Sequence, residues 1–299
     1  SWRPVARNAH PLLPQSGNST KDLRTGLSPN AMSNRLPDTM RDDPRLIVTT
    51  SRYASNATRA LAKQKAEDWG FRYVGRSDVS FARVLEHAEG DAVAAFVFGD
   101  DGLVLSTGQT QLRHGIGTAA IRLLSIGKGT GDPLIRAGEL RTGDRVFDAT
   151  LGLGRDALVA ARAVGPGGEV IGVESNHALF VLTREGLASY DAGAESATIQ
   201  LLHDDSRRLL SSAAAGSYDV VVVDPMFSKP AKSDGNFEAL RDFADSTNLD
   251  PAWVRHARRV AKRWVLVKAA YGAPWFGDEG LQRVPGMGAS RWWRAKGRL

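Results

Sequence analysis

The sequence contains no cysteine, which excludes disulfides and thiolate zinc sites. Its six histidines are scattered without the spacing of metal ligands, so no structural metal is expected. No apolar run approaches the roughly 18 to 20 residues that span a bilayer, and the chain does not start with the uninterrupted apolar core of a signal peptide. A cytoplasmic location away from membranes is the expectation. What is present is ordinary: of 299 residues, 42% are hydrophobic and 24% charged, close to the averages of globular chains and enough for a sizeable core. That length accommodates one or two domains, and two plus a tail fit best.

The net charge is +6 and the pI near 9.7. Basic residues are dense at Arg255, Arg258, Arg259, Lys262, Arg263 and Lys268, and again at Arg291, Arg294, Lys296 and Arg298. Such a balance suits a polyanionic partner, because each neutralised phosphate releases counterions. A solvated basic face explains the same residues equally well.

Residues 1–44 are rich in Ser, Asn, Pro and Arg, lack an apolar period and begin without Met. They read as a disordered leader, an upstream read-through or an appended sequence. Residues 45–110 suggest a small α/β domain: a β-rich run Leu46-Ile47-Val48-Thr49-Thr50, a helical pattern from Ala57 to Trp69 closed by Gly70, and a hairpin around Gly99-Asp100-Asp101-Gly102. Residues 111–299 form the remaining domain, opening on a helix from Thr118 to Ser125. The Gly-rich turn Gly127-Lys128-Gly129-Thr130-Gly131 then imitates a phosphate loop. That motif needs Gly at 122 and Ser or Thr at 129, where the chain has Arg122 and Gly129, so a nucleotide triphosphatase is rejected.

From Arg145 onward strand-like and helical segments alternate: Val146–Asp148, Arg155–Ala163, Glu169–Glu174, His177–Tyr190, Thr198–Leu202, Tyr218–Asp224, Pro251–Val260 and Trp264–Lys268. Continuous runs such as Val220 to Val223 imply strands buried on both faces, hence an α/β doubly wound parallel sheet of Rossmann-like form.

The strongest local signal is Asp148-Ala149-Thr150-Leu151-Gly152-Leu153-Gly154-Arg155-Asp156, at the end of the first core strand and opening a helix. Gly152 and Gly154 permit a tight turn and close approach of backbone N–H groups to a ligand. About twenty residues on, Glu174 ends the second strand, where a carboxylate can accept both hydroxyl protons of a ribose. This spacing fits NAD-binding and S-adenosylmethionine-binding cores alike, and Gly152-x-Gly154-x-x-Ala157 satisfies the relaxed dinucleotide pattern. Asp148 tilts the balance, since a carboxylate there suits a charged methionine portion better than a pyrophosphate; its plainer role is turn capping. His203-Asp204-Asp205-Ser206 follows the third strand and could reach an adenine edge, or Asp205 and Ser206 could cap the next helix. Asp224-Pro225-Met226-Phe227, after the fourth strand, discriminates most. A carboxylate and nearby carbonyls can accept protons from an exocyclic amine while Phe227 stacks on an extruded base, a set hydride transfer does not need. An Asp-Pro turn with two apolar core residues is the plainer alternative. The following polar stretch offers Lys229 and Lys232 as phosphate contacts or as solvated lysines.

These motifs resemble those of the bacterial small-subunit (16S) ribosomal RNA guanine-N2 methyltransferases, and within that family a less characterised branch from Gram-positive bacteria. The resemblance runs through Asp148-Ala149-Thr150, Gly152 to Ala157 and Asp224-Pro225-Met226-Phe227 with Lys232-Ser233, and covers Gly115 to Pro274. It implies a class I fold, S-adenosylmethionine as cofactor, ribosomal RNA or the small ribosomal subunit as partner, and Arg155, Asp156, Glu174, Ser175, Asp205, Ser206 and Asp224 around the cofactor. Asp224, Pro225 and Phe227 would form the catalytic set, acting by direct in-line displacement. Two departures are visible: Ser228-Lys229-Pro230 where those enzymes carry Pro-His-Lys, and Asp205 where they carry Ser. Two other readings remain open from the residues, an NAD(P)-dependent oxidoreductase and a non-catalytic RNA-binding protein with a vestigial core.

Overall fold

The computed structural model describes residues 45–88, 92–225, 249–269, 272–285 and 291–298; the expected leader over 1–44 lies outside them. All described residues belong to one compact unit, Ser33–Leu299. Among them no helix is long and apolar enough to cross a membrane.

The first half builds a five-stranded sheet from β1 (Leu46–Thr50), β2 (Arg72–Tyr73), β3 (Ala94–Gly99), β4 (Gly102–Ser106) and β5 (Gln111–Leu112), ordered β2-β1-β3-β4-β5. Helix α1 (Asn56–Trp69) starts where the Ser55 side chain accepts the Thr58 N–H, and stops at Gly70, whose φ of 73° is left-handed. Every residue of β1 is buried: Leu46 and Val48 face Trp69 of α1, while Ile47 faces Val84 of α2 (Phe81–Glu86). Cover on both faces explains why β1 reads as an unbroken apolar run.

The second half begins with α3 (Thr118–Gly127) and α4 (Pro133–Gly138), then alternates β6 (Arg145–Asp148), α5 (Arg155–Val164), β7 (Glu169–Glu174), α6 (His177–Ala188), β8 (Thr198–His203), α7 (Ser206–Ser212) and β9 (Tyr218–Val223). Helix α8 (Pro251–Val260), β10 (Ala261–Lys268), β11 (Gln282–Arg283) and β12 (Trp292–Lys296) complete it. The strand order is β11-β12-β10-β9-β6-β7-β8. Strands β10, β9, β6, β7 and β8 run parallel, and β12 is antiparallel to β10. One face packs Phe147, Val221 and Val265 against α8, and the other packs Val146, Val220 and Leu266 against α4 and α5. This is the expected doubly wound sheet. Construction reverses direction at β6, with β7 on one side and β9 on the other, which leaves a crevice beyond their carboxyl ends.

The alternating elements lie within a few residues of their expected positions, but β12 was not anticipated. Trp292, expected to cover the core, does so at 2% exposure, and Trp293 packs edge-on against Phe276 at 5.2 Å. Within the basic clusters, several side chains also have partners in the fold, while Arg255, Lys262, Arg291, Lys296 and Arg298 are exposed. Arg255 pairs with Glu279, Lys262 with Asp219 and Arg263 with Asp144, while Arg258 and Arg259 donate to backbone carbonyls of residues 279, 296, 210 and 211. Arg294 pairs with Glu139 and stacks over Trp264 at 4.1 Å. These guanidiniums satisfy internal acceptors and link helix, strand and chain end.

Helix α6 joins the two sheets. Six successive residues, Ala178 to Thr183, are buried, because one side meets β7 and β8 while the other continues the Trp69, Phe96 and Phe98 cluster of the small sheet. Glu185 of α6 accepts from both Lys65 and the Trp69 indole, so the seam has a polar clamp beside its apolar core. Gly186 completes it: a Cβ there would lie 1.9 Å from Cγ of His114. Gly→Ala inside a helix ordinarily gains about 1 kcal/mol. Gly186→Ala is expected instead to lose about 1 to 3 kcal/mol through overpacking, read by urea denaturation; an unchanged or raised stability would contradict this seam.

Candidate active site

The crevice beyond β6 and β9 opens into a cleft of about 260 Å³. The turn after β6 is tied down from several sides. Thr150 N–H donates to Asp148 Oδ1 at 3.1 Å, and Thr150 Oγ1 accepts from Asp224 N at 2.7 Å, which fixes the end of β9 against the turn. Gly152 N–H donates to Glu174 Oε2 at 3.0 Å, Asn176 N–H to Oε1 of the same carboxylate at 2.9 Å, and Thr183 Oγ1 to Gly152 O at 2.7 Å. Glycine is required here: Gly152 and Gly154 have φ of 52° and 74°, and a Cβ on Gly154 would sit 2.8 Å from Leu187.

Beside the turn runs a chain of opposite charges. Arg122 on α3 bonds Asp132 through two nitrogens, at 2.7 and 3.0 Å, and also bonds Asp156 in the first turn of α5. Lys268, at the carboxyl end of β10, lies 3.6 Å from Asp156 and 2.7 Å from Asp224. Burial opposes the Lys268 charge, yet the Asp224 and Asp156 carboxylates outweigh it and hold the ammonium well above its ordinary range. For Asp156 burial is likewise outweighed, by Lys268 and Arg122, and its carboxyl sits below the usual range. Asp224 goes the other way: burial and the Asp156 charge push it up against the pull of Lys268.

Asp148 lies beneath the turn at 3% exposure. Burial above all, then the Asp156, Asp224 and Glu174 charges, push its carboxyl up to about 8. Its Oδ2 has no hydrogen-bond partner among the described residues. Turn capping through Oδ1 therefore leaves half of a neutral acid to interact with something else.

Gly152, Arg155, Asp156, Glu174, Ser175, Asp205, Ser206, Asp224 and Pro225 all line the cleft, so the structure brings together residues spread over 74 positions. Asp148 lies just behind it, and Gly154 serves as the N-cap of α5. Asp205 also performs the plainer task, accepting the Arg207 N–H to cap α7. Phe227, Lys229 and Lys232 lie outside the described residues. Sequence reasoning missed Arg122, Lys268, Thr118 and Trp253, which also line the cleft. Lys268 was legible in principle, as the charged residue that ends an apolar parallel strand. Arg122 was not, because only the tertiary fold carries α3 to the first turn of α5.

The turn can approach a ligand closely, and Asp156, Glu174, Asp204, Asp205 and Asp224 give the cleft five carboxylates against Arg122, Arg155, Arg207 and Lys268. With the orphaned Asp148 oxygen, this set fits a nucleoside bearing cationic groups better than a pyrophosphate. Comparison with known proteins agrees. The family model described as "Putative SAM-dependent methyltransferase" matches residues 85–291. The uncharacterized protein YpiP of Bacillus subtilis is 34% identical over 241 residues, covering 79% of this chain and 93% of that one. Ribosomal RNA small subunit methyltransferase J of Chromohalobacter salexigens is 34% identical over 210 residues, 62% of this chain and 79% of its own length. Among solved structures, a SAM-dependent methyltransferase from Neisseria gonorrhoeae aligns with a TM-score of 0.46 and 18% identity over 84% of this chain and 95% of its own. The oxidoreductase and non-catalytic readings are thereby set aside: the chain belongs to the family of S-adenosylmethionine-dependent methyltransferases.

Proposed function

We propose that the enzyme methylates an exocyclic amino group in small-subunit ribosomal RNA, with N2 of a guanine as acceptor. The carrying observation is the Asp224–Lys268 pair at the carboxyl end of β9, followed by Pro225 and opening on the cleft. The relatives named ribosomal RNA small subunit methyltransferase J support the RNA substrate. S-adenosylmethionine, when bound, supplies an electrophilic methyl group on a sulfonium.

Glu174, oriented at the cleft wall by two backbone donors, is assigned the ribose hydroxyls. Asp205 and Ser206 are assigned the adenine edge, and Arg155, Asp156 and Ser175 complete the cofactor wall. Asp148 and the Gly152 turn are assigned the methionine end. Asp224 accepts a hydrogen bond from the amine N–H and aims the nitrogen lone pair along the line of displacement, the alignment that supplies most of the acceleration. As the new N–C bond forms and the S–C bond breaks, the nitrogen must shed a proton. Asp224, its affinity for protons raised by burial and by Asp156, is placed to take it. Lys268 is a positioning residue, holding the carboxylate in one orientation and opposing the upward push of burial on its pKa. Base stacking is assigned to Phe227 from the sequence alone.

Three outcomes are expected. Asp224→Ala abolishes methyl transfer from labelled cofactor to small-subunit RNA while leaving cofactor affinity within about tenfold, since the contact is made to the acceptor; retained turnover would remove Asp224 from this role. Lys268→Met moves the acid limb of the kcat profile to higher pH, because Lys268 is a charge that lowers the Asp224 pKa; an unmoved limb counts against the pair.

The third concerns Asp148, protonated in the free enzyme below pH of about 8. A cation brought beside it lowers its pKa, so binding should release a proton and tighten as pH rises from about 6 to 8. Calorimetry at pH 7 in buffers of different ionisation enthalpy reads that proton, and Asp148→Asn should lose both effects. Proton-neutral binding by the unaltered enzyme would overturn the assignment.

A further inference from the structure

Helix α3 presents Thr118 and Arg122 to the cleft, and its neighbouring face is unusual. Ile121 and Leu124 stand 68% and 65% exposed, one turn apart on the same helix. At about 100° per residue they share an arc of roughly 60° with Lys128, directly beside the cleft-facing arc. Isolated exposed apolar residues are ordinary, but a pair at i, i+3 on the rim of a catalytic cleft forms a continuous ridge.

The charge around the ridge is of one sign. Between Arg113 and Arg136 the sole acidic residue is Asp132, which is 1% exposed and occupied by Arg122. Lys128 and Arg136 are exposed, so no carboxylate reaches solvent from this stretch. Beyond the ridge lies the turn Gly127-Lys128-Gly129-Thr130-Gly131. A Cβ added at any of its three glycines would meet nothing within 4 Å. The surface there is open backbone that a bulky, charged strand can approach closely.

We infer that the Ile121–Leu124 ridge, with Lys128 and the glycine turn behind it, is a substrate-docking surface that grips the RNA strand flanking the target base. The inference rests on the RNA-methyltransferase reading and extends it to a part of the chain outside the catalytic set. Apolar side chains on the rim take the unstacked faces of nucleotides next to the extruded base, as wedges do in base-flipping and groove-bending proteins. Lys128 and Arg136 meet the phosphates, and the glycines let the backbone come near. A second copy of the chain is disfavoured as the occupant, because two-fold pairing through this face would set cations against cations.

The test uses the full-length enzyme, small-subunit ribosomal RNA and labelled S-adenosylmethionine. Ile121→Ser/Leu124→Ser alters only exposed positions, so folding is retained, and Lys128→Ala is examined alongside. The double variant is expected to raise KM for RNA about tenfold or more, the scale of losing one base stack, with kcat at saturating RNA and cofactor affinity within about twofold. Lys128→Ala should weaken RNA binding with a shallower salt dependence. An unchanged KM in the double variant, while the unaltered enzyme methylates the RNA well, would overturn the docking surface alone. Absence of transfer by the unaltered enzyme to any form of small-subunit RNA would overturn the functional reading and this inference together. A dimer that the double variant breaks into monomers, seen by light scattering, would assign the ridge to self-association and overturn the inference.

Discussion

Four carboxylates, Asp148, Asp156, Glu174 and Asp224, converge where β6, β7 and β9 end, and containing their mutual repulsion is the constraint around which this molecule is arranged. Two carboxylates about 4 Å apart repel by about 4 kcal/mol at the effective dielectric of a protein margin. Each of the four is handled differently. Asp156 is neutralised by Arg122 and Lys268, Asp224 by Lys268, and Glu174 by two backbone N–H groups. Asp148, buried beside three of these charges, is pushed up to about 8 and keeps its proton at neutral pH. A site arranged in this way favours an incoming cation, because that cation completes a compensation the protein leaves partial.

Strand-level architecture was legible because the parallel sheet is buried on both faces, so Val220 to Val223 or Val170 to Val173 had to be apolar throughout. Helix boundaries were legible where caps announce them: Asp250 before Pro251, Asp132 before Pro133, Asn176 before His177. The unanticipated β12 carries two tryptophans, two basic residues and an alanine with no clean alternation. Its identity comes from pairing with β10 and from Arg294 lying over Trp264, which are tertiary facts. The division near residue 110 remains our proposal for where the two sheets part, since β5 ends at Leu112 and α3 starts at Thr118.

The cleft carboxylates were visible because Asp148, Glu174 and Asp224 end or follow recognisable strands and Asp156 belongs to the glycine-turn motif, whereas their counter-ions were not. Lys268 was counted among surface cations through its neighbours Arg255 to Arg263, several of which bond carbonyls and carboxylates of adjoining elements. Charge density along a sequence does not say which way a guanidinium points. The carboxylates at the site nevertheless demanded cations from somewhere, and in a doubly wound fold the adjacent strand end, here β10, is the first place to look.

Arg122 links this electrostatic arrangement to the rest of the molecule. It spans Asp132 at the start of α4 and Asp156 at the start of α5, so it locks α3 against the sheet by the same contacts that neutralise the site. Ile121 is its immediate neighbour and Leu124 lies two residues beyond. A shift of α3 that moved the ridge would stretch the Arg122–Asp156 contact, weaken one of the charges that keep Asp156 ionised, and change the repulsion felt by Asp224 and Asp148. Conversely, a well-paired Asp156 holds the ridge at a fixed distance from the cleft. The helix is therefore positioned by the electrostatics of the cleft, and the proposed grip on the strand beside the target base needs that fixed geometry to place the base against Asp224, the acceptor-orienting residue we propose.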